Sequence, residues 1–378
     1  MSFNIVPVKT FLQKRDFIRL PWLLHAKNPH WVPPLRHLVK KNLNTRKHPF
    51  YKHAELILWL AYKNGKPVGR IAGIVDQLYN DFHQANTAFW GFFETENCAK
   101  TATALLQTVE NWAKQKKLDV LKGPMNPSMN YECGMQISAF DKKPYLMMAQ
   151  NPSYYPALVE AANHVKAMDA HAWLINHRSI ELPEKLLARK EKSLDDIGIE
   201  LRCIDMSNYF NEIEKFIHIY NDAWEKNWGF VPMTEAEVRL LAKEIKPLII
   251  PELAYFIMVN GEPAACALCL PNINQVLAKI PSGKLMPLGF IKLIHYLKKN
   301  KKNCEGRIPL LGVRKKFRHL QLGPLLYAKY GEVCAKLDMG NIECSWILET
   351  NKPMNFGLKQ IKAELYKTYR IYEKLIEN

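Results

Sequence analysis

The chain has no run of 18 apolar residues, so no segment is expected to cross a bilayer as a helix. Its first stretch, MSFNIVPVKTFLQKRDF, lacks the basic-then-apolar order of a secretory leader, and a cytoplasmic location is expected. Cysteine is sparse, eight in 378 residues, and the eight are scattered through apolar surroundings. That pattern fits small core residues in a reducing compartment rather than a disulfide framework. Cys266 and Cys269 have C-x-x-C spacing, but they sit in an apolar, strand-like run with no second pair nearby. The histidines show no ligand spacing either, so no metal site is expected. Acidic residues are the minority: 36 Asp and Glu against 53 Lys and Arg leave a net charge of +17. Such an excess suits nucleic acid, an anionic membrane face or an anionic cofactor. No nucleic-acid motif is present, and the basic residues concentrate between Lys279 and Arg318. A local basic face is therefore expected, and nucleic acid is not.

What the chain does have is clearest from Ile308 to Leu337. Ile308–Val313 reads as an apolar strand, Arg314–Gln321 as a basic loop, and Gly323-Pro324 as the opening of a helix. Proline suits the first helical turn, where its missing N–H has no intrahelical partner to lose. Leu325, Leu326, Ala328, Val333 and Leu337 then recur at helical spacing. A strand, a basic loop and a helix N-terminus form an anion site, because free N–H groups and the positive end of the helix dipole both face the loop. Arg314, Lys315, Lys316 and Arg318 add charge, and a phosphate-bearing ligand is the expected guest.

These residues resemble the coenzyme A pyrophosphate motif of the GNAT superfamily, R-x-x-G-x-G between a strand and a helix. Arg318 and Gly323 match it, while Gln321 stands where the first glycine is expected. The resemblance implies acyl-CoA as co-substrate, held by Val313, Arg314, Arg318, Gln321, Leu322, Gly323 and Asn351. Asn351, at the end of the strand-like run from Cys344, matches the asparagine that opens the next GNAT helix. Leu365–Tyr372 resembles the last strand.

The rest of the chain reads as two copies of one α/β (α+β) pattern, each a mixed, mostly antiparallel sheet flanked by helices. Glu55–Tyr62 and Pro67–Val75 flank Asn64-Gly65, a hairpin signal. Leu253–Val259 and Pro263–Leu270 flank Asn260-Gly261 in the same way. Ala99–Lys116 carries Ala102, Leu105, Leu106, Val109 and Trp112 on one stripe. Tyr209–Trp224 does the same with Phe210, Ile213, Phe216, Ile217 and Tyr220. Thr234 and Glu237 form a capping box. The expected boundaries are a first domain over 1–180, a charged linker over 181–198 and a second domain over 199–378. The first domain lacks a phosphate loop, because Glu94–Ala99 contains neither basic residues nor glycine. Met286–Lys302 reads either as a core-packing helix with a solvated basic tail or as a membrane-surface helix.

Over almost its whole length the chain resembles a bacterial group of tandem GNAT-like proteins. The resemblance rests on PHWVPPL (29–35), VGRIA (68–72), WGFFE (90–94), GPMNPS (123–128), NPSYY (151–155) and WEKNWGFVP (224–232). It continues with Glu343-x-Ser345-Trp346-Ile347-Leu348-Glu349-x-Asn351 and with Lys367-x-Tyr369-Arg370-Ile371-Tyr372-Glu373. Some members of that group are bacterial ceramide synthases, which join a fatty acyl-CoA to the amine of a sphingoid base. The resemblance implies a small-molecule or lipid amine as acceptor, with peripheral contact at an anionic membrane as an accompanying expectation.

The implied chemistry needs a backbone N–H to polarise the thioester carbonyl, expected from Ile308–Val313. It also needs a base for the attacking amine, for which Glu343, Glu349, Asp222 and Glu132 are candidates. Finally an acid must protonate the thiolate. The family's tyrosine is replaced by Leu358, leaving Tyr366, Tyr369, Tyr372 or water. Acceptor contacts are expected from the polar loop bearing Asn126, Ser128, Asn130 and Glu132, and from Trp224, Trp228 and Trp346. Two other readings stand beside the enzyme: a catalytically degenerate pair that binds acyl-CoA or lipid or serves as a scaffold, and a nucleic-acid binder using Arg314–Arg318.

Overall fold

The computed structural model describes residues 2–176, 198–299 and 304–377. The first elements are β1 (Phe3–Pro7), α1 (Phe11–Leu24), α2 (Arg36–Asn42), β2 (Ala54–Lys63), β3 (Lys66–Asp76), α3 (Gln77–His83), β4 (Thr87–Thr95) and α4 (Ala99–Gln115). There follow β5 (Val120–Gly123), β6 (Met125–Asn126), β7 (Glu132–Cys133), β8 (Met135–Gln136), α5 (Tyr155–Glu160) and β9 (Val165–Asn176). Next come β10 (Ile199–Cys203), α6 (Tyr209–Trp224), α7 (Glu235–Ile245), β11 (Ala254–Val259), β12 (Glu262–Pro271), α8 (Asn274–Leu277) and α9 (Leu288–Lys299). The last are β13 (Gly306–Val313), α10 (Gly323–Lys336), β14 (Asn341–Leu348), α11 (Lys352–Gln360) and β15 (Glu364–Leu375).

The chain divides into two units. Unit 1 comprises Met1–Ala170, Val276–Gly289 and Lys367–Asn378; unit 2 comprises His171–Gln275 and Phe290–Tyr366. The unit boundaries fall inside β9, α8, α9 and β15, so the last strand of the chain serves mostly unit 1. Of the charged linker expected over 181–198, residues 181–197 lie outside the described residues.

In unit 1 the strand order is β1-β2-β3-β4-β5-β15, and β8 also pairs with β15. All neighbours are antiparallel except β4 and β5. The apolar stripe of α4 lies on this sheet: Leu105, Leu106, Val109 and Trp112 are buried with Trp59, Ile71, Trp90 and Leu121. Each fully buried leucine there contributes about 2 kcal/mol relative to exposure.

In unit 2 the order is β10-β11-β12-β13-β14, antiparallel until the parallel pair β13 and β14. Leu325, Leu326, Tyr330 and Val333 of α10 are buried with Tyr255, Ile257, Ala265 and Cys269. Cys266 and Cys269 are free thiols on β12, and burial pushes both thiol pKa values up. Among the described residues no group of acidic, His and Cys side chains could hold a metal.

The two expected hairpins form with two-residue turns. Asn64 and Gly65 have φ of 52° and 75°, and Asn260 and Gly261 have 51° and 78°. Two successive positive-φ residues match the right-handed twist of the strands, and Asn-Gly accepts them with little strain. α9 is the expected basic helix. Of its side chains, Tyr296 is buried, whereas Leu288, Phe290, Ile291 and Ile294 are exposed.

Candidate active site

In unit 2 the parallel ladder between β13 and β14 is only three pairs long: Gly306 with Ile342, Arg307 with Glu343, and Ile308 with Cys344. Both strands continue beyond it. β13 stays attached to β12, with Leu310 opposite Leu268 and Val313 opposite Ala265, after a register shift next to Pro309. Proline cannot donate to a ladder, and a bulge bends the strand that carries it. The strands therefore part, and a cleft opens where pairing stops. Pro309 and Leu311 line it from β13, Ser345–Leu348 from β14, and Trp224, Asn227, Tyr327, Asn351 and Met354 from the flanking segments. Backbone groups of β13 beyond Ile308 have no β14 partner and edge this space. Trp224 sits so close to β13 that a Cβ at Gly312 would come within 2.2 Å of its ring, so glycine is what allows the indole to cover the strand.

A buried polar cluster backs the cleft. Glu343 has no exposed surface; Arg307 and Ser345 are almost as buried. The Ser345 hydroxyl donates to Glu343 Oε1 at 2.5 Å, and the Tyr366 hydroxyl donates to Glu343 Oε2. Arg307 Nε donates to Ser345 Oγ at 2.8 Å and lies 3.9 Å from Glu343 Oε1; a second guanidinium N–H donates to the Ser345 carbonyl at 3.0 Å. Glu343 and Ser345 share one face of β14 because side chains alternate along a strand. Ser345 belongs both to the cluster and to the cleft lining.

The anion-site expectation meets a partly closed loop. After β13 the chain forms a 3-10 turn over Lys315–Leu320. Arg314 donates to Glu262 Oε1 at 2.7 Å, Lys316 to Glu262 Oε2 at 2.7 Å, and Lys315 pairs with Glu225. Asp222 accepts the Lys315 backbone N–H at 2.6 Å, so this base candidate braces the loop. Arg318 donates to the Ala223 carbonyl at 3.1 Å; its partner carries no charge. Gln321 has φ 50°, the left-handed conformation that a glycine would supply without strain. Gly323 opens α10, no side chain caps that terminus, and a Cβ on Gly323 would meet nothing within 4 Å. Uncapped N–H groups and open space thus coincide at one helix start, and Arg318 stands in the turn that leads to it.

Asn351 caps α11, accepting the Met354 N–H at 3.3 Å, and also lines the cleft. Leu322 is fully buried, and Val313 closes the β12–β13 ladder. Trp346 lines the cleft; Glu349 follows β14 and is half-buried, as is Trp228 beyond α6. Leu358 is a core residue with no exposure. Four residues of this region escaped the sequence reading. Arg307 and Ser345 complete the cluster, Tyr327 brings a phenol into the cleft, donating to Met354 Sδ at 3.1 Å, and Asn355 ties α11 to the Leu348 carbonyl at 2.9 Å. Ser345 was legible by its alternation with Glu343. Burial pushes the Tyr327 phenol pKa up.

The other expected residues belong to unit 1. There β4 and β5 also pair over only three residues, Thr87–Phe89 with Val120–Lys122, although β4 runs on to Thr95. The opening is filled from within. A Cβ on Gly91 would lie 1.6 Å from the Met125 carbonyl oxygen, and the Phe92 N–H donates to Asn126 Oδ1 at 2.6 Å. Asn126 in turn donates to Glu132 Oε1 at 3.1 Å, within the β6–β7 ribbon. Ser128 accepts the Asn130 N–H at 3.3 Å in the turn between them. Tyr372 is fully buried in the unit 1 core, with its hydroxyl on Glu160 at 2.9 Å, and burial raises its pKa.

Comparison with known proteins agrees with this architecture. No family model matches the chain. It is 36% identical over 380 residues to a protein named bacterial ceramide synthase from Caulobacter vibrioides, covering 99% of this chain and 98% of that one. It is 33% identical to Protein YghO of Escherichia coli K12, covering 98% and 95%. A tandem GNAT protein from the clavulanic acid biosynthesis pathway superposes with a TM-score of 0.56 at 14% identity, covering 100% of this chain and 99% of that one. A GCN5-related N-acetyltransferase from Sphaerobacter thermophilus gives 0.52 at 13% identity, covering 100% and 96%. The chain belongs to the family of the Caulobacter protein named bacterial ceramide synthase, and it has the fold of tandem GNAT proteins.

Proposed function

We propose that unit 2 binds an acyl-CoA and transfers the acyl group, long-chain in the fullest form of this reading, to the amine of a sphingoid-type base. The observation that carries the reading is the cleft between the parted β13 and β14, with a buried carboxylate one hydroxyl away. The thioester carbonyl would lie against the free edge of β13, where a backbone N–H stabilises the developing oxyanion. The pyrophosphate would take the uncapped start of α10 and Arg318. The amine nitrogen bonds to the carbonyl carbon as the carbon–sulfur bond breaks. Its proton passes to Ser345 Oγ while the Ser345 proton passes to Glu343. Tyr327, the phenol in the cleft, protonates the departing thiolate. Trp224 and Trp346 supply apolar walls for a lipid-like acceptor. A cytoplasmic location, with peripheral contact at an anionic membrane, belongs to the same reading.

One observation favours a second reading. Gln321 and the ion-paired Arg314, Lys315 and Lys316 suit a unit that holds acyl-CoA without turning it over. Two measurements separate the readings. Titration with CoA, acetyl-CoA and palmitoyl-CoA is expected to show micromolar binding of the long-chain thioester, weakened by Arg318→Ala. Thiol release on adding long-chain amines is expected from the enzyme and not from the binder. Failure of every thioester to bind refutes both.

A further inference from the structure

α9 presents an apolar face to solvent. Leu288 is 67% exposed, Phe290 49%, Ile291 63% and Ile294 36%, and Met286 just before the helix is 72% exposed. Leu288, Ile291 and Ile294 follow one another at three-residue spacing, so they share a stripe. The helix is not loosely held. Tyr296, on its other side, is buried, and its hydroxyl reaches the Asn272 carbonyl at 3.1 Å and Gln275 Oε1 at 2.5 Å. An anchored helix with large apolar side chains on its outer face calls for an occupant.

Charge identifies the occupant. Between Glu262 and Glu305 the chain contains no acidic residue and seven lysines: Lys279, Lys284, Lys292, Lys298, Lys299, Lys301 and Lys302. Lys284, just before the helix, and Lys292, within it, are exposed. A protein partner recognising so basic a segment would need an acidic patch with an apolar centre; an anionic bilayer supplies both features everywhere on its surface. Apolar side chains enter the acyl boundary, and lysines remain at the headgroups. We propose that α9 lies in the surface of an anionic membrane through Leu288, Phe290, Ile291 and Ile294, with the exposed Lys284 and Lys292 at lipid phosphates. The inference gives the membrane contact of the preceding reading a surface; it does not depend on the reaction.

The test is co-sedimentation of the full chain with vesicles of phosphatidylcholine, alone and mixed with phosphatidylglycerol. Binding is expected to the mixed vesicles and to fall with salt. Ile291→Glu combined with Ile294→Glu is expected to abolish it. Lys292→Glu, which leaves the apolar stripe intact, is expected to weaken it at least about fivefold, one lysine's share of the attraction. Light scattering on the same variants reads the alternative occupant. A dimer of the parent chain that the isoleucine pair disrupts, without vesicle binding, assigns the face to a second copy and overturns the proposal. Equal binding by parent and isoleucine variant overturns it as well. Because these side chains are exposed, thiol release from soluble acyl-CoA should survive the substitutions. Loss of vesicle binding with retained turnover is therefore distinct from failure of the acyltransferase reading.

Discussion

Glu343→Gln separates chemistry from architecture at the proposed base. The substitution keeps the side-chain shape and one acceptor but removes the charge from a position with no exposed surface. Arg307, 3.9 Å away, then faces a neutral group while keeping its bonds to the Ser345 hydroxyl and carbonyl. Breaking a buried pair from one side costs about 3–5 kcal/mol. Retained shape and retained bonds place this case at the lower end, about 3 kcal/mol, or a fall of roughly 6–12 °C in melting temperature for a unit of this size. Loss of a positioned base lowers turnover by about 10²- to 10⁴-fold, an increase of roughly 3–5 kcal/mol in the barrier. Stability and rate are therefore both expected to fall, and a single variant does not say which causes which. Adding Arg307→Met removes the stranded cation. If the proton path runs through Ser345 to Glu343, the double variant regains much of its melting temperature yet stays slow in the thiol-release assay. A double variant that turns over at the parental rate, or a Glu343→Gln protein within threefold of parent, refutes the role given to Glu343.

Tyr327→Phe deletes a hydroxyl whose partner among the described residues is the Met354 sulfur, so the fold should lose under about 1 kcal/mol while kcat falls at least about tenfold; an unchanged rate across pH assigns thiolate protonation to water. Gln321→Gly relieves a left-handed non-glycine residue, and a gain of about 1 kcal/mol in denaturant unfolding is expected, with CoA binding retained or tightened. His164 is buried against Trp90 with neither ring nitrogen bonded among the described residues, and burial, with Lys374 nearby, pushes its pKa down to about 4. An unfolded histidine titrates near 6.5, so below that pH the unfolded state takes the proton first. Stability is lost as pH falls from about 6.5 to 4, by roughly 3 kcal/mol in all. His164→Leu should flatten that part of the stability–pH curve, and an unaltered curve would show that other groups set it.

The local signals in the sequence were strong and were read correctly where they acted locally. The Asn-Gly pairs fixed two hairpins, because only a few residue pairs tolerate two successive positive φ values. The Thr234–Glu237 capping box starts α7 as expected, and the stripe of α4 is buried as its spacing required. Long-range partnerships were not legible. Nothing near Arg307 announces that its guanidinium meets Ser345, 38 positions on, because that meeting depends on a parallel crossover. The loop at 123–134 was recognisable as polar and turn-rich. That Asn126 answers the Phe92 N–H depends on where β4 and β5 separate, and no periodicity encodes that. The Met286–Lys302 stretch left two readings open because periodicity shows a face but not what covers it.

The filled opening of unit 1 also bears on counting. Two copies of one fold would ordinarily suggest two equivalents of ligand per chain. In unit 1, however, the amide oxygen of Asn126 already accepts the free N–H of β4, and the Met125 carbonyl occupies the space above Gly91. That copy is complete without a guest. Binding curves for this protein should therefore saturate at one acyl-CoA per polypeptide, with a single class of site and no cooperativity between like sites within one chain.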